Sequence, residues 1–154
     1  VAPPECISRI GEGVRVIKPG EKITVDNIII EAVPAYNYKR FRAPGTPFHP
    51  KGSGVGYVVT VEGKRIYHAG DTDFIPEMRQ LRDIYLALLP SGGTYTMDNP
   101  EAAEAAIAIN PKVVIPMHRW STNPDEFRRL VKKVSPQIDV VLLKLGEEYE
   151  VRDC

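Results

Sequence analysis

One run constrains this chain more than any other. In Ile66-Tyr67-His68-Ala69-Gly70-Asp71-Thr72 a strand-like apolar stretch stops abruptly at Gly-Asp-Thr. Loops just past the C-terminal ends of strands are where α/β proteins build their sites, and this break sets one carboxylate, Asp71, in such a loop. Val113-Val114-Ile115-Pro116-Met117-His118 repeats the arrangement with a histidine. A carboxylate and an imidazole, each at the tip of a buried strand, are donors that a catalytic metal site draws on.

The remaining pattern is α/β. Val14–Ile17, Lys22–Val25 and Ile28–Val33 read as strands, the last of them buried, with turns at Pro19-Gly20 and Asp26-Asn27. Tyr36–Gly54, rich in Pro and Gly, reads as a long loop, and loops of that length inside a domain are often functional. Val55–Val61 and Arg65–Ala69 form a hairpin around Glu62-Gly63-Lys64. Phe74–Arg82 is expected as a short helix, Ile84–Leu89 as a buried strand and Ser91–Met97 as a loop. Asn99 is the expected cap of a helix with Pro100 at its first position and Glu101 and Glu104 near the positive end of its dipole. Its alanines (Ala102, Ala103, Ala105, Ala106) allow close packing on a sheet. Lys112–Pro116 is a strand. Asn123-Pro124 opens a helix whose Phe127, Leu130, Val131 and Val134 share one face. Ile138–Lys144 and Tyr149–Arg152 are expected to close the chain as a hairpin. An antiparallel meander leading into strand–helix–strand units predicts a mixed sheet with flanking helices.

With 154 residues the chain fits one domain, which buries roughly two-thirds of its unfolded surface. Its 20 basic and 20 acidic residues cancel, which argues against bulk attraction to nucleic acid or a membrane surface. Lys39, Arg40 and Arg42 read as a solvated loop rather than a binding patch. No apolar run approaches the ~20 residues of a membrane span, and no signal-peptide pattern is present. Cys6 and Cys154 are expected as reduced thiols of a cytoplasmic protein, a terminal disulfide being the alternative. Val1-Ala2-Pro3-Pro4 reads like the end of a buried strand turning into a helix. A chain entered partway through a fold is therefore expected, as a short protein or as the later portion of a longer one.

Each chemistry-bearing residue has a structural alternative. Asp71 also suits a helix cap or Asx-turn, but Thr72 and Asp73 are better placed for capping, which frees it. His118 has only its strand-tip position in its favour. His68 shares a strand face with Ile66 and reads as a buried, hydrogen-bonded core histidine, with a role orienting Asp71 as the alternative. His49, between Pro47 and Pro50, is either an exposed loop histidine or one that a proline-stiffened loop delivers to a site. Ser91-Gly92-Gly93-Thr94-Tyr95-Thr96 reads as a tight crossover loop in preference to an anion cradle.

Three stretches together carry a resemblance: Ile66–Thr72, then Leu88-Leu89-Pro90-Ser91-Gly92-Gly93-Thr94-Tyr95-Thr96-Met97, then Val114–His118. In order and spacing they resemble the metallo-β-lactamase superfamily, and within it the small intracellular metal-dependent hydrolases related to ascorbate-phosphate lactonases. The likeness covers nearly the whole chain and implies the C-terminal half of an αββα sandwich. It also implies that Asp71 bridges two metal ions, usually zinc, and that His118 binds the second. Two departures stand out. The family's His-x-His-x-Asp-His signature is absent, since the only histidines are His49, His68 and His118. A further family histidine, at the end of a strand resembling Ile30–Tyr36, falls here on Asn37, with His49 downstream as the candidate replacement.

The resemblance implies a hydrolase in which two cations hold and acidify a water and polarise the oxygen of a lactone, ester or phosphodiester. Asp71, His118 and His49 are the expected metal ligands, and Asp71 and His118 the expected catalytic residues. They are too few for a tight pair of ions. Activity is therefore expected to need the missing N-terminal half or a partner chain, with a small-molecule substrate and homo-oligomerisation through an uncovered sheet face. The competing expectations are a non-catalytic half-domain acting as a binding or assembly module, and an α/β binding module in which Asp71 only shapes a loop. Fold does not choose a substrate.

Overall fold

The computed structural model describes residues 1–151. Left-handed turn residues set its strand connections. After a short helix, α1 (Ile7–Ile10), β1 (Lys22–Val25) turns at Asp26, φ +52°, into β2 (Ile28–Ala35). The long segment that follows carries a small hairpin of its own, β3 (Phe41–Ala43) with β4 (Thr46–Pro47). β5 (Gly54–Val61) then turns into β6 (Lys64–His68) through Glu62 and Gly63, φ +48° and +74°. Two successive positive-φ residues give the turn whose twist matches that of paired antiparallel strands.

From β6 onward the connections are crossovers. β7 (Ile84–Pro90), α2 (Asn99–Ile109), β8 (Val113–Met117), α3 (Pro124–Val134) and β9 (Asp139–Val140) complete a seven-stranded sheet of order β1-β2-β5-β6-β7-β8-β9. The pairs from β1 to β6 are antiparallel and those from β6 to β9 parallel, so the sheet is mixed, as the sequence predicts. The parallel register aligns Tyr67 with Ala87 and Ala87 with Val114. The C-terminal ends of β6, β7 and β8 therefore lie along one edge.

Alternation assigns the two faces. Tyr67, Ala69, Ala87, Leu89 and Val114 point to the helices and are buried with Phe127 and Val131. The alanines of α2 are buried as expected, and their small size lets that helix sit close to the sheet. Ile66, Leu86, Leu88, Val113 and Ile115 form the opposite face, with Val141, Leu143, Tyr149 and Val151 of the C-terminal segment packed against part of it.

Several expectations are corrected. Val14–Ile17 is reduced to a single bridge between Ala2 and Val16. Ile28–Val33 extends to Ala35 but is only half-buried, because β2 lies next to the edge strand. The helix expected over Phe74–Arg82 is a 3-10 turn, Pro76–Gln80. The cap of α2 is Asp98, whose carboxylate accepts the Glu101 N–H; Asn99 is the first helical residue. On α3, Phe127 and Val131 are buried but Val134 is exposed. The closing hairpin is not formed among the described residues. Only Asp139–Val140 is strand, residues 149–151 have no strand pairing, and Arg152 lies outside the described residues. Cys6 is a free thiol, and Cys154 lies outside the described residues. Among the described residues, no helix is long and apolar enough to cross a membrane.

Candidate metal centre

Gly70 makes the turn that exposes Asp71. With φ at +69° and room for a Cβ only 3.0 Å from the Val55 carbonyl, the position favours glycine on both counts. The Gly70 N–H donates to His68 Nδ1 at 3.2 Å, so His68 buttresses the turn. His68 is exposed rather than buried in the core, because its parity sets it on the sheet face away from the helices. Partial desolvation draws its imidazole below the ordinary value, opposed by the nearby Asp71 carboxylate.

Beyond Asp71 the chain turns inward. Thr72 is fully buried; its hydroxyl accepts the Tyr36 N–H at 3.1 Å and returns a bond to the Tyr36 carbonyl at 3.0 Å. The end of β2 is thereby tied to the loop after β6. Asp73 is also fully buried. One oxygen accepts from Arg40 Nη1 at 2.6 Å and Asn37 Nδ2 at 2.9 Å, and the other from the Tyr38 and Lys39 N–H groups. Arg40 Nη1 also meets Glu101 at 2.6 Å, and Lys39 Nζ reaches Glu101 at 3.0 Å. Thr72 and Asp73 are thus interior ties between distant segments and cap nothing. Arg40 is likewise not solvated, its side chain being 13% exposed and held by Asp73 and Glu101, whereas Lys39 and Arg42 are exposed as the solvated-loop reading expects.

His118 follows β8 in the left-handed region, φ +48°, and Trp120 shares that conformation at +50°. Such geometry costs about 1–2 kcal/mol per residue. The segment is held by Ser91 N–H to Met117 carbonyl, Thr122 hydroxyl to Ser91 carbonyl and Arg119 guanidinium to Leu143 carbonyl. Gly92 lies directly beneath: a Cβ there would stand 2.5 Å from both the His118 carbonyl and Trp120 Cδ1. The glycine loop after β7 bonds internally, Gly93 N–H to Met97 carbonyl, which agrees with a crossover loop.

These constraints bring three of the candidates together. His49 Nε2 lies 3.4 Å from Asp71 Oδ2, and His118 Nδ1 lies 3.5 Å from Asp71 Oδ1. The two histidines come from segments far apart in sequence and face different oxygens of one carboxylate. All three side chains keep solvent access, 31% for His49, 44% for Asp71 and 36% for His118. Asn37 is different. It is buried, it bonds away from Asp71, and its amide oxygen accepts the backbone N–H of His49 at 2.9 Å and stands 2.7 Å from the His49 ring Nδ1. Phe48, Tyr95 and Trp120 run as a chain of edge-on rings, with Trp120 5.4 Å from the His118 ring.

Imidazole and carboxylate suit a borderline divalent ion such as zinc. Among the described residues, no group of three or more His, Cys, Asp or Glu side chains is placed to hold a metal ion. The donor types fit, but they stand as two pairs sharing Asp71 rather than as one closed set.

Residues 5–118 match the family model of the beta-lactamase superfamily domain. The chain is 37% identical over 147 residues to a UPF0173 metal-dependent hydrolase of Methanopyrus kandleri, covering 90% of this chain and 64% of that protein. It is 38% identical over 137 residues to another from Thermococcus kodakarensis, covering 83% and 58%. Among solved structures, it is similar to a protein described as a metal-dependent hydrolase of Parabacteroides distasonis. The TM-score there is 0.83 and the identity 38%, covering 92% of this chain and 62% of that one. The chain thus spans between 58% and 64% of the length of these relatives.

Proposed function

Because the chain belongs to the beta-lactamase superfamily, we propose that it supplies part of the metal centre of a metal-dependent hydrolase. The observation that carries this reading is the division of Asp71 between His49 and His118, one carboxylate oxygen to each. The carboxylate then spans two half-sites, His49 with Oδ2 and His118 with Oδ1.

The spacing supports it. Tetrahedral donors held about 2.0–2.1 Å from a zinc ion stand about 3.3 Å from one another. The 3.4 and 3.5 Å separations are close to that value and longer than a well-made N–H···O bond of about 2.7–3.2 Å. Zinc is the ion proposed. The remaining donors come, in this reading, from the part of the full-length protein that corresponds to the relatives' uncovered length, or from a partner chain. Divalent ions held there lower the pKa of a water and polarise a carbonyl or phosphoryl oxygen.

The chain's own residues do the rest. Asp71 places a negative charge between the two half-sites. His49 and His118 fix its two sides and present neutral nitrogen donors. The rings of Phe48, Tyr95 and Trp120 give an apolar wall against which the non-reacting part of a small lactone, ester or phosphodiester packs.

The test is hydrolysis of a panel containing a γ-lactone, an aryl ester and bis(p-nitrophenyl) phosphate by full-length protein. Turnover lost on chelation and restored by zinc supports the reading. Turnover unchanged after exhaustive chelation, or no turnover of any member by zinc-loaded protein, overturns it.

A further inference from the structure

We infer that Asn37 is a positioning residue that holds the neutral ring of His49 in its Nδ1–H form, so that the Nε2 lone pair faces Asp71. The argument starts from the amide. Asn37 Nδ2 stands 2.9 Å from Asp73 Oδ1 and 3.0 Å from the Tyr95 carbonyl. A carboxylate and a carbonyl only accept, so the NH2 group lies on that side and the oxygen on the other. That oxygen receives the His49 backbone N–H and stands 2.7 Å from His49 Nδ1. A carbonyl oxygen donates nothing, so Nδ1 must carry the proton. A neutral ring with its proton on Nδ1 has an open lone pair on Nε2, and Nε2 is the atom 3.4 Å from Asp71 Oδ2.

The arrangement is tightly determined. Two donors and two acceptor positions of the Asn37 side chain are all used, and the residue is only 3% exposed. The Asn37 N–H adds a bond to the His49 carbonyl at 2.8 Å, so His49 is gripped by backbone and side chain together. Asp73, which orients the amide, is held by Arg40, and Arg40 is held by Glu101 of α2. A continuous line of charged and hydrogen-bonded groups therefore runs from a buried helix to one ring nitrogen of His49. Two acceptors facing each other at 3.4 Å repel unless a cation or proton lies between them, which gives the alignment a purpose at a cation site. Asn37 occupies the position at which the sequence reading expects a family ligand. Its contribution here is made through His49.

This inference rests on the reading of His49 as a metal ligand, and the experiment separates the two. Long-range proton–nitrogen spectra of the imidazoles are recorded on metal-free, full-length protein at about pH 9, above the ordinary histidine range. The His49 signals are assigned with H49Q. The wild type should show a protonated Nδ1 and an unprotonated Nε2 in His49. N37A should lose that preference, and its zinc affinity should fall about 10–100-fold, the scale for removing an outer partner of a ligating histidine. A wild-type ring protonated on Nε2, or an unchanged tautomer in folded N37A, overturns the inference. If N37A fails to fold, the wild-type tautomer alone decides. Full zinc affinity in H49A would instead overturn the metal reading while leaving the tautomer result in place.

Discussion

Asp71 and His118 meet across the C-terminal edge of the sheet, Oδ1 to Nδ1 at 3.5 Å, although β7 and α2 separate them in sequence. The parallel register of β6, β7 and β8 makes the meeting possible, because it brings the C-terminal ends of all three strands to one edge of the sheet. Any chemistry the pair performs depends on the sheet first and on the loops second.

Asp71→Ala should lower hydrolysis by full-length protein to the level of the chelated wild type, and His118→Ala about 10²–10³-fold, the scale for losing one preorganised electrostatic group. Both side chains keep solvent access, so stability should shift by no more than about 0.5 kcal/mol in the metal-free state. Steady-state kinetics beside chelated thermal melts check the pair of outcomes. A loss of activity matched by an equal loss of folded protein would contradict them.

Gly92→Ala tests the platform beneath His118. The added methyl meets the His118 carbonyl and Trp120 at 2.5 Å, so the segment must move. Overpacking of this kind costs about 1–3 kcal/mol. Chemical denaturation should show that loss, and Trp120 fluorescence should change with it. Gly93→Ala has room, its nearest contact being Asp98 Cβ at 3.6 Å. Its φ of +85° nevertheless strains any side chain, so G93A should also lose stability, but without a contact at Trp120 the fluorescence should change in G92A and not in G93A.

Arg40→Met removes the guanidinium shared by Asp73 and Glu101. Two carboxylates are left close together in a largely buried place, and breaking such a pair costs about 3–5 kcal/mol. Equilibrium urea unfolding reads the loss directly. A change under about 1 kcal/mol would show that solvent reaches the cluster.

Acid should act through the same cluster. Burial pushes the Asp73 carboxyl up, but the Lys39 N–H, the Arg40 guanidinium, the Tyr38 N–H and the Asn37 amide outweigh it and bring it below the usual carboxylate value. A lowered folded value means that the unfolded chain binds the proton more readily. Its stabilising contribution is therefore complete above about pH 4 and is lost as pH falls through the folded value. Asp73→Asn should be less stable at neutral pH and lose less on acidification below about pH 4. Melting temperatures across that interval check the slope; an identical slope in both proteins would remove Asp73 from the acid response.

The positions of Asp71 and His118 just past β6 and β8 were legible because each ends an apolar run, and strand tips announce themselves in a sequence. The Ala-rich face of α2 and the buried pair Phe127 and Val131 were legible for a similar reason, since helical period shows which side is covered. Arg40 and Asp73 were not. Their ion pair spans 33 residues, and no local pattern distinguishes a clamped arginine from a solvated one. The roles of His49 and Asn37 were hidden for the same reason: they exchange backbone and side-chain bonds across a loop whose course the sequence leaves open. His68 misled because β-strand parity says which residues share a face, but not whether that face is covered.

Zinc bound per chain of full-length protein, by elemental analysis after purification without chelator, tests the central claim most directly. The account predicts about two ions in the wild type, as in two-metal hydrolytic sites, and loss of both in Asp71→Ala, because one carboxylate serves both half-sites. An unchanged zinc content in folded Asp71→Ala would contradict it.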